Sequence, residues 1–130
     1  MLQQRKKDFL QRLIEEISKK LQQLMDENRT VDDAEKIKLQ RDALDFFKAN
    51  FEVLPEDDAR AVINKIDDFA LLEQYARLLM IGYDLAKEKD TEQLIKALSI
   101  VDYLENTDST YSWDRTVLKE DILSRLDAGI

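Results

Sequence analysis

The side chains of this sequence that could do chemistry are carboxylates, because the chain contains no histidine and no cysteine. Three adjacent acidic pairs, Asp32-Asp33, Asp57-Asp58 and Asp67-Asp68, offer the oxygen ligands that Mg²⁺ prefers. Each pair also stands where a helix is predicted to begin, and acidic side chains there cap exposed N–H groups and face the positive end of the helix dipole. We therefore predict that these acids are helix caps and that the protein holds no metal ion and no cofactor.

Other kinds of catalytic site lack their usual residues. Di-iron helical bundles use Glu-x-x-His motifs, and a serine nucleophile needs a base that is most often histidine. The sequence has only two glycines and no glycine-rich loop that could cradle phosphates. We predict no catalytic residues and a protein that is not an enzyme, with a divalent-metal-dependent enzyme using the acidic clusters as the alternative hypothesis.

The distribution of charge is uneven. The chain of 130 residues carries a formal net charge of −8, whereas its first 25 residues hold six bases and three acids. An acidic protein repels phosphate backbones, so nucleic-acid binding is not expected. The length predicts a single domain, 1–130, in which a basic first helix lies on an acidic body. An acidic regulatory or inhibitory protein that occupies a basic partner is a further alternative.

The N-terminal bases and the residues after them bear on cellular location. Arg5, Lys6 and Lys7 precede a stretch interrupted by charged residues, not the apolar core of a signal peptide. No apolar run approaches the roughly 20 residues of a membrane span. The absence of cysteine fits a reducing compartment. We expect a cytoplasmic protein without a membrane span.

Apolar residues recur at intervals of three and four along the whole chain, which predicts an all-α fold of five or six helices in an antiparallel bundle of helical hairpins. Pro55 suits the first position of the third helix. Ile37 and Ile95 belong to the apolar faces that the second and fifth helices should bury. The predicted spans are 2–27, 30–50, 55–66, 69–89, 90–105 and from 112 onwards.

The first helix has an apolar stripe long enough to pack on a partner chain as well as on its own domain. Burial inside the domain and a homodimer that covers the stripe are both open. The candidate contact residues of this stripe are Leu10, Leu13, Ile17, Leu21 and Leu24.

A second candidate contact patch combines Tyr111, Trp113 and Arg115, which are residue types enriched at protein interfaces. The alternative is that both rings pack the last helix onto the fourth and fifth, and that Arg115 pairs with a nearby acid. From both candidates we predict a non-catalytic helical domain for protein–protein interaction or self-association, with a protein partner that the sequence does not identify.

Two segments resemble known helical proteins. In residues 75–108, Ile81, Gly82 and Leu98 occupy the large, small and large apolar places of a tetratricopeptide-type helical hairpin, which this C-terminal region resembles. Residues 103–115 are similar to the end of uncharacterised small bacterial helical proteins. These resemblances imply a helical hairpin and no known activity. Gly82 is expected to mark a close approach of the fifth helix.

Overall fold

Six α-helices make up the computed structural model, which describes the backbone of residues 2–26 and 33–128 and the side chains of 8–23 and 34–128. The described residues contain no strand, so the predicted all-α fold is confirmed. In chain order the helices are α1 (Leu2–Asp26), α2 (Asp33–Phe51), α3 (Ala59–Lys65), α4 (Phe69–Leu85), α5 (Thr91–Thr107) and α6 (Trp113–Ala128).

Side-chain caps define the start of four helices. Asp58 accepts a hydrogen bond from the Ala61 N–H at α3, and Asp68 accepts one from the Leu71 N–H at α4. Asp90 and the Ser112 hydroxyl do the same at α5 and α6. The predicted capping role is thereby confirmed for Asp58 and Asp68. The side chains of Asp32 and Asp33 lie outside the described residues.

The predicted position of Pro55 is wrong, because α3 begins at Ala59 and not at Pro55. The chain forms a turn first: the Asp57 N–H donates to the Leu54 carbonyl at 3.1 Å, and the Asp57 carboxylate accepts from the Leu54 N–H at 2.9 Å. These two hydrogen bonds between Leu54 and Asp57 pair the polar groups around Pro55 in a turn, not in a helix. The helix therefore begins only after the cap Asp58.

The predicted end of the fourth helix at Lys89 is also wrong, because α4 ends at Leu85. The Lys89 ammonium donates to the carbonyls of Tyr83 and Asp84, at 2.9 and 2.6 Å. A lysine that binds the last carbonyls of a helix terminates it favourably, since those groups have no helical donor.

The helix α4 lies at the centre of the fold and contacts α1, α2, α5 and α6. Its high apolar content is explained by this position, because it is covered on several sides. Its buried residues are Leu71, Leu72, Tyr75, Ala76, Leu78, Leu79, Met80, Ile81 and Tyr83.

Two residues predicted to be buried are exposed. Ile37 on α2 retains 39% of its accessible surface and Ile95 on α5 retains 46%. Helical spacing places each of them away from the centre of its helix's buried face, so the neighbouring helices do not cover it. The corresponding central positions, Phe47 on α2 and Leu94 on α5, are fully buried.

Gly82 is approached mainly by α2, and not by α5 as predicted. A Cβ atom placed on Gly82 would lie 2.8 Å from Nε2 of Gln40 on α2, and 3.6 Å from Oε1 of Gln93 on α5. Both contacts are ends of flexible amide side chains, which can move aside.

We therefore expect Gly82→Ala to stabilise the protein by up to about 1 kcal/mol, the helix-propensity difference between the two residues. Urea denaturation followed by circular dichroism measures the change. In the variant Gln40→Ala the close contact with the new methyl group is absent, so Gly82→Ala should there stabilise the protein by the whole propensity difference. Destabilisation in both backgrounds would contradict the expectation and indicate that the surrounding backbone cannot accommodate a methyl group.

Candidate functional site: an acidic groove

A groove of about 690 Å³ opens between α2, the segment 53–58 that precedes α3, the middle of α4 and the first half of α5. Its volume lies within the range of about 300–1,000 Å³ typical of ligand sites. We call it the acidic groove. Its apolar residues are Leu44, Val53, Leu54, Pro55, Ala59, Tyr75, Leu79 and Ile95, and its charged residues are Asp45, Lys48, Glu56, Asp57, Asp58, Arg60, Asp90, Glu92 and Lys96.

The wall formed by residues 53–58 is positioned by the way α2 ends. Glu52 adopts a left-handed conformation with φ of 58°. Its N–H donates to the Lys48 carbonyl at 3.0 Å, and its carbonyl accepts from the Lys65 ammonium at 2.9 Å. A left-handed residue is a common helix terminator. It reverses the chain here so that Val53 enters the core and the segment beyond it borders the groove.

A salt bridge holds the same wall against α3. The Asp57 carboxylate lies 2.6 Å from the Lys65 ammonium and also accepts from the Leu54 N–H. The backbone hydrogen bond from Leu54, followed by the hydrogen bond from Lys65, lowers the pKa of Asp57 below its ordinary value of 3.8.

This lowered pKa predicts a loss of stability in acid. Because the folded state holds the Asp57 proton less tightly than the unfolded state does, the contribution is present above the unfolded pKa of 3.8 and is lost as the pH falls through the lower folded pKa. Thermal midpoints measured from pH 7 downwards should therefore decline less steeply below pH 3.8 in Asp57→Asn than in the parent protein. The variant Glu56→Gln controls for the loss of one acidic group nearby. Parallel curves for the parent and Asp57→Asn would contradict the assignment.

Lys96 crosses the groove above Tyr75. Its ammonium lies 5.7 Å from the centroid of the Tyr75 ring and donates to the Pro55 carbonyl at 3.4 Å. Desolvation lowers the pKa of Lys96, against the opposing effect of Asp57 and neighbouring acids. Burial, followed by the charge of Asp57, raises the pKa of Tyr75 to about 12. Both shifts are typical of groups withdrawn from water, so the floor of the groove is an environment of low polarity.

The lining of the groove has a net charge of −3, from six acids and three bases. Asp58 and Asp90 cap helices, and Asp57 is paired with Lys65. The exposed acids Asp45 and Glu56 therefore direct much of this charge towards solvent, together with Glu92 on the opposite side. An apolar floor bordered by negative charge favours a ligand with apolar anchors and basic flanks.

The predicted stripe of the first helix is divided by the fold. Leu10 and Leu21 are buried in the domain's own core, and Ile17 is half-buried against it. Leu13 is 37% exposed, one helical turn after Phe9, which is 64% exposed. The side chain of Leu24 lies outside the described residues. Most of the described stripe is thus used within the domain, and Phe9 and Leu13 form a smaller exposed pair beside it.

The second predicted patch is also divided. Tyr111 and Trp113 are exposed, and they do not pack α6 onto the core. Arg115, by contrast, is buried and forms ion pairs with Glu73 at 2.9 Å and with Asp108 at 3.0 Å. The two aromatic rings are therefore available for contact, and Arg115 stabilises the fold from inside.

A second cavity of about 610 Å³ lies between α1, α4 and the start of α6. Ser18 and Gln74 line it, and within the described part of the chain the Ser18 hydroxyl and the Gln74 carbonyl oxygen are buried without a hydrogen-bond partner. Its charged residues balance, since Glu15 and Asp114 face Lys19 and Arg77. The second cavity is polar and neutral, unlike the acidic groove.

The described side chains include no group of three or more His, Cys, Asp or Glu residues that could hold a metal ion. None of the described helices is long and apolar enough to cross a bilayer.

Comparisons with known proteins return no relative. No family model matches the chain, and neither the search of curated proteins nor the search of solved structures finds a match. The candidate site therefore rests on the geometry of the chain itself.

Sequence reasoning did not identify the acidic groove. Nothing in the sequence singles out Lys96, because single charged residues on helix surfaces are common. One sequence feature does indicate the groove. The polar residues Glu92, Gln93 and Lys96 lie beside the apolar Ile95 at helical spacing. Such a mixed border is typical of a face that is only partly covered.

Proposed function

We propose that this protein is a non-catalytic helical interaction domain whose acidic groove binds a basic, amphipathic helical segment of a protein. The observation that carries the proposal is the combination of an apolar floor with a lining of net charge −3. In helix-in-groove recognition, apolar side chains spaced by three or four residues enter such a floor, and flanking charges set specificity and association rate.

Several features of the groove support a peptide ligand over a small substrate. It is bordered by residues of α2, α4 and α5 and by residues 53–60, so a ligand in the groove contacts several helices at once. Ile95 and Pro55 also line the groove and are exposed, so they extend its apolar surface beyond the floor. The alternative of an acidic regulatory protein requires the same chemistry, since a basic partner would be held by the same carboxylates.

Fluorescence anisotropy with a labelled synthetic helix of leucine and lysine tests the proposal. We expect saturable binding of this helix and none of its leucine–glutamate counterpart. The double variant Glu56→Lys/Glu92→Lys should weaken binding at least about tenfold, because like charges across an interface are repulsive. The variant Glu120→Lys, which changes an exposed acid on α6 outside the groove, should bind as the parent does.

A gain of affinity provides the complementary test. Lys96→Met removes a cation from the groove and keeps an apolar side chain above Tyr75. The leucine–lysine helix should therefore bind this variant more tightly than the parent protein. Equal weakening by Glu56→Lys/Glu92→Lys and by Glu120→Lys would indicate attraction to overall charge and would contradict a site in the groove.

A further inference from the structure

The exposed border of α1 has the chemistry that the acidic groove selects. Phe9 and Leu13 are spaced by four residues, so both side chains lie on one side of the helix. The exposed charged residues Asp8, Arg12, Glu16 and Lys20 surround them by helical spacing and balance in charge. The positive excess of α1 comes from Arg5, Lys6 and Lys7, which precede Phe9 in the sequence, so the two apolar anchors follow a basic segment.

We infer that a second copy of this chain supplies the segment that fills the acidic groove, and that two chains exchange their α1 borders reciprocally. The inference rests on the proposed function of the groove. Phe9 and Leu13 would enter the apolar floor, and Arg12 would face the carboxylates of Glu56 and Glu92. A reciprocal exchange forms a closed two-fold dimer, which is the commonest symmetry of soluble oligomers.

The charge distribution favours this pairing over contact between two α1 helices. The first 25 residues hold six bases and three acids, so two such helices repel each other. The remainder of the chain carries the acidic excess, and the groove lining has a net charge of −3. Contact between α1 and the groove brings opposite charges together in both halves of the dimer.

The dimer also differs from one formed by the predicted apolar stripe. Leu10 and Leu21 face the domain's own core, so they cannot contact a second chain without unfolding α1. Phe9 and Leu13 remain accessible on the folded domain. Association through them requires no rearrangement of the core, which is the usual behaviour of preorganised interfaces.

Analytical ultracentrifugation of the intact protein at micromolar concentration is the first test. We expect a species of twice the 15.3 kDa chain mass. The α1 variant Arg12→Glu/Lys20→Glu and the groove variant Glu56→Lys/Glu92→Lys should each raise the dissociation constant at least about tenfold. The controls Lys38→Glu on α2 and Glu120→Lys on α6 change exposed residues outside both surfaces and should leave it unchanged.

Mixing the two variants gives the decisive result. In a mixed dimer, one contact joins a reversed α1 border to a reversed groove, and the other joins the two unchanged surfaces. Both contacts are then complementary, so the mixture should associate about as tightly as the parent protein. Two results would overturn the exchange of α1 borders. One is a dissociation constant that the groove variant leaves unchanged, and the other is a mixture of the two variants that stays dissociated.

The outcome separates this inference from the proposed function. If the parent protein is a monomer that still binds the leucine–lysine helix, the inference fails and the function of the groove stands. If the helix binds neither the parent nor the Arg12→Glu/Lys20→Glu variant, in which the groove is open, both fail. If the exchange is correct, that variant should bind the helix more tightly than the parent does, because no second chain competes for the groove.

Discussion

Replacing Phe47 by alanine is expected to lower the free energy of unfolding by about 4 kcal/mol, within the range of about 3–5 kcal/mol for buried Phe→Ala changes. Phe47 is fully buried, and its ring meets Tyr75 edge-on with centroids 5.2 Å apart and Phe46 at 5.3 Å. The substitution removes apolar burial, leaves a cavity between α2 and α4, and abolishes these edge-to-face contacts.

Urea denaturation at neutral pH measures the loss, and Tyr111→Ala is the matched control. Tyr111 is 75% exposed and lies outside both surfaces of the proposed dimer, so its removal should change the free energy of unfolding by no more than about 0.5 kcal/mol. A loss below about 1 kcal/mol for Phe47→Ala would contradict the packing of α2 on α4. Because Tyr75 also lines the acidic groove, the same variant should weaken peptide binding even under conditions where it stays folded.

Replacing Arg115 by alanine should cost about 3 kcal/mol, which is the lower end of the range for breaking a buried ion pair by removing one partner. The guanidinium lies 2.9 Å from Glu73 and 3.0 Å from Asp108, and these carboxylates retain only 12% and 16% of their side-chain exposure. Hydrogen bonds from the Thr110 N–H and from Arg115 also lower the pKa of Asp108. Without Arg115, two poorly solvated carboxylates would remain close together.

A double-mutant cycle with Glu73→Gln isolates this interaction from the packing of the arginine stem. The two changes should be non-additive by more than about 0.5 kcal/mol if the residues are directly coupled. Arg41→Ala, which removes an exposed arginine on α2, serves as the control and should be close to neutral. Additive effects would show that Arg115 is not coupled to Glu73 and would leave its contribution to Asp108 and to packing.

The helices could be predicted from the sequence because each one follows a local rule. Apolar spacing defines their faces, and the caps at Asp58 and Asp68 need only the next three residues. The errors arose where a side chain five to eight residues away, beyond the span of a cap, forms the decisive hydrogen bond. The turn around Pro55 is held by Lys65, and α4 stops where Lys89 reaches back to its last carbonyls.

The acidic groove could not be predicted, because it depends on how four segments meet. Glu52 adopts the left-handed conformation without being a glycine, so the sequence carries no signal for the chain reversal that builds the wall. The patch at residues 111–115 shows the same limit. The sequence allows an acidic partner for Arg115, but Glu73 lies 42 residues earlier and cannot be singled out by spacing.

The central position of α4 has a consequence for the folding pathway. It pairs with α5 across a connection of only a few residues, whereas its contact with α2 joins parts of the chain as distant as Phe47 and Tyr75. Closing a short loop costs less entropy than closing a long one. The hairpin of α4 and α5 should therefore form early, and the docking of α1 and α2 should follow. The acidic groove, which needs α2 and α5 together, is then completed only when the last large elements are in place.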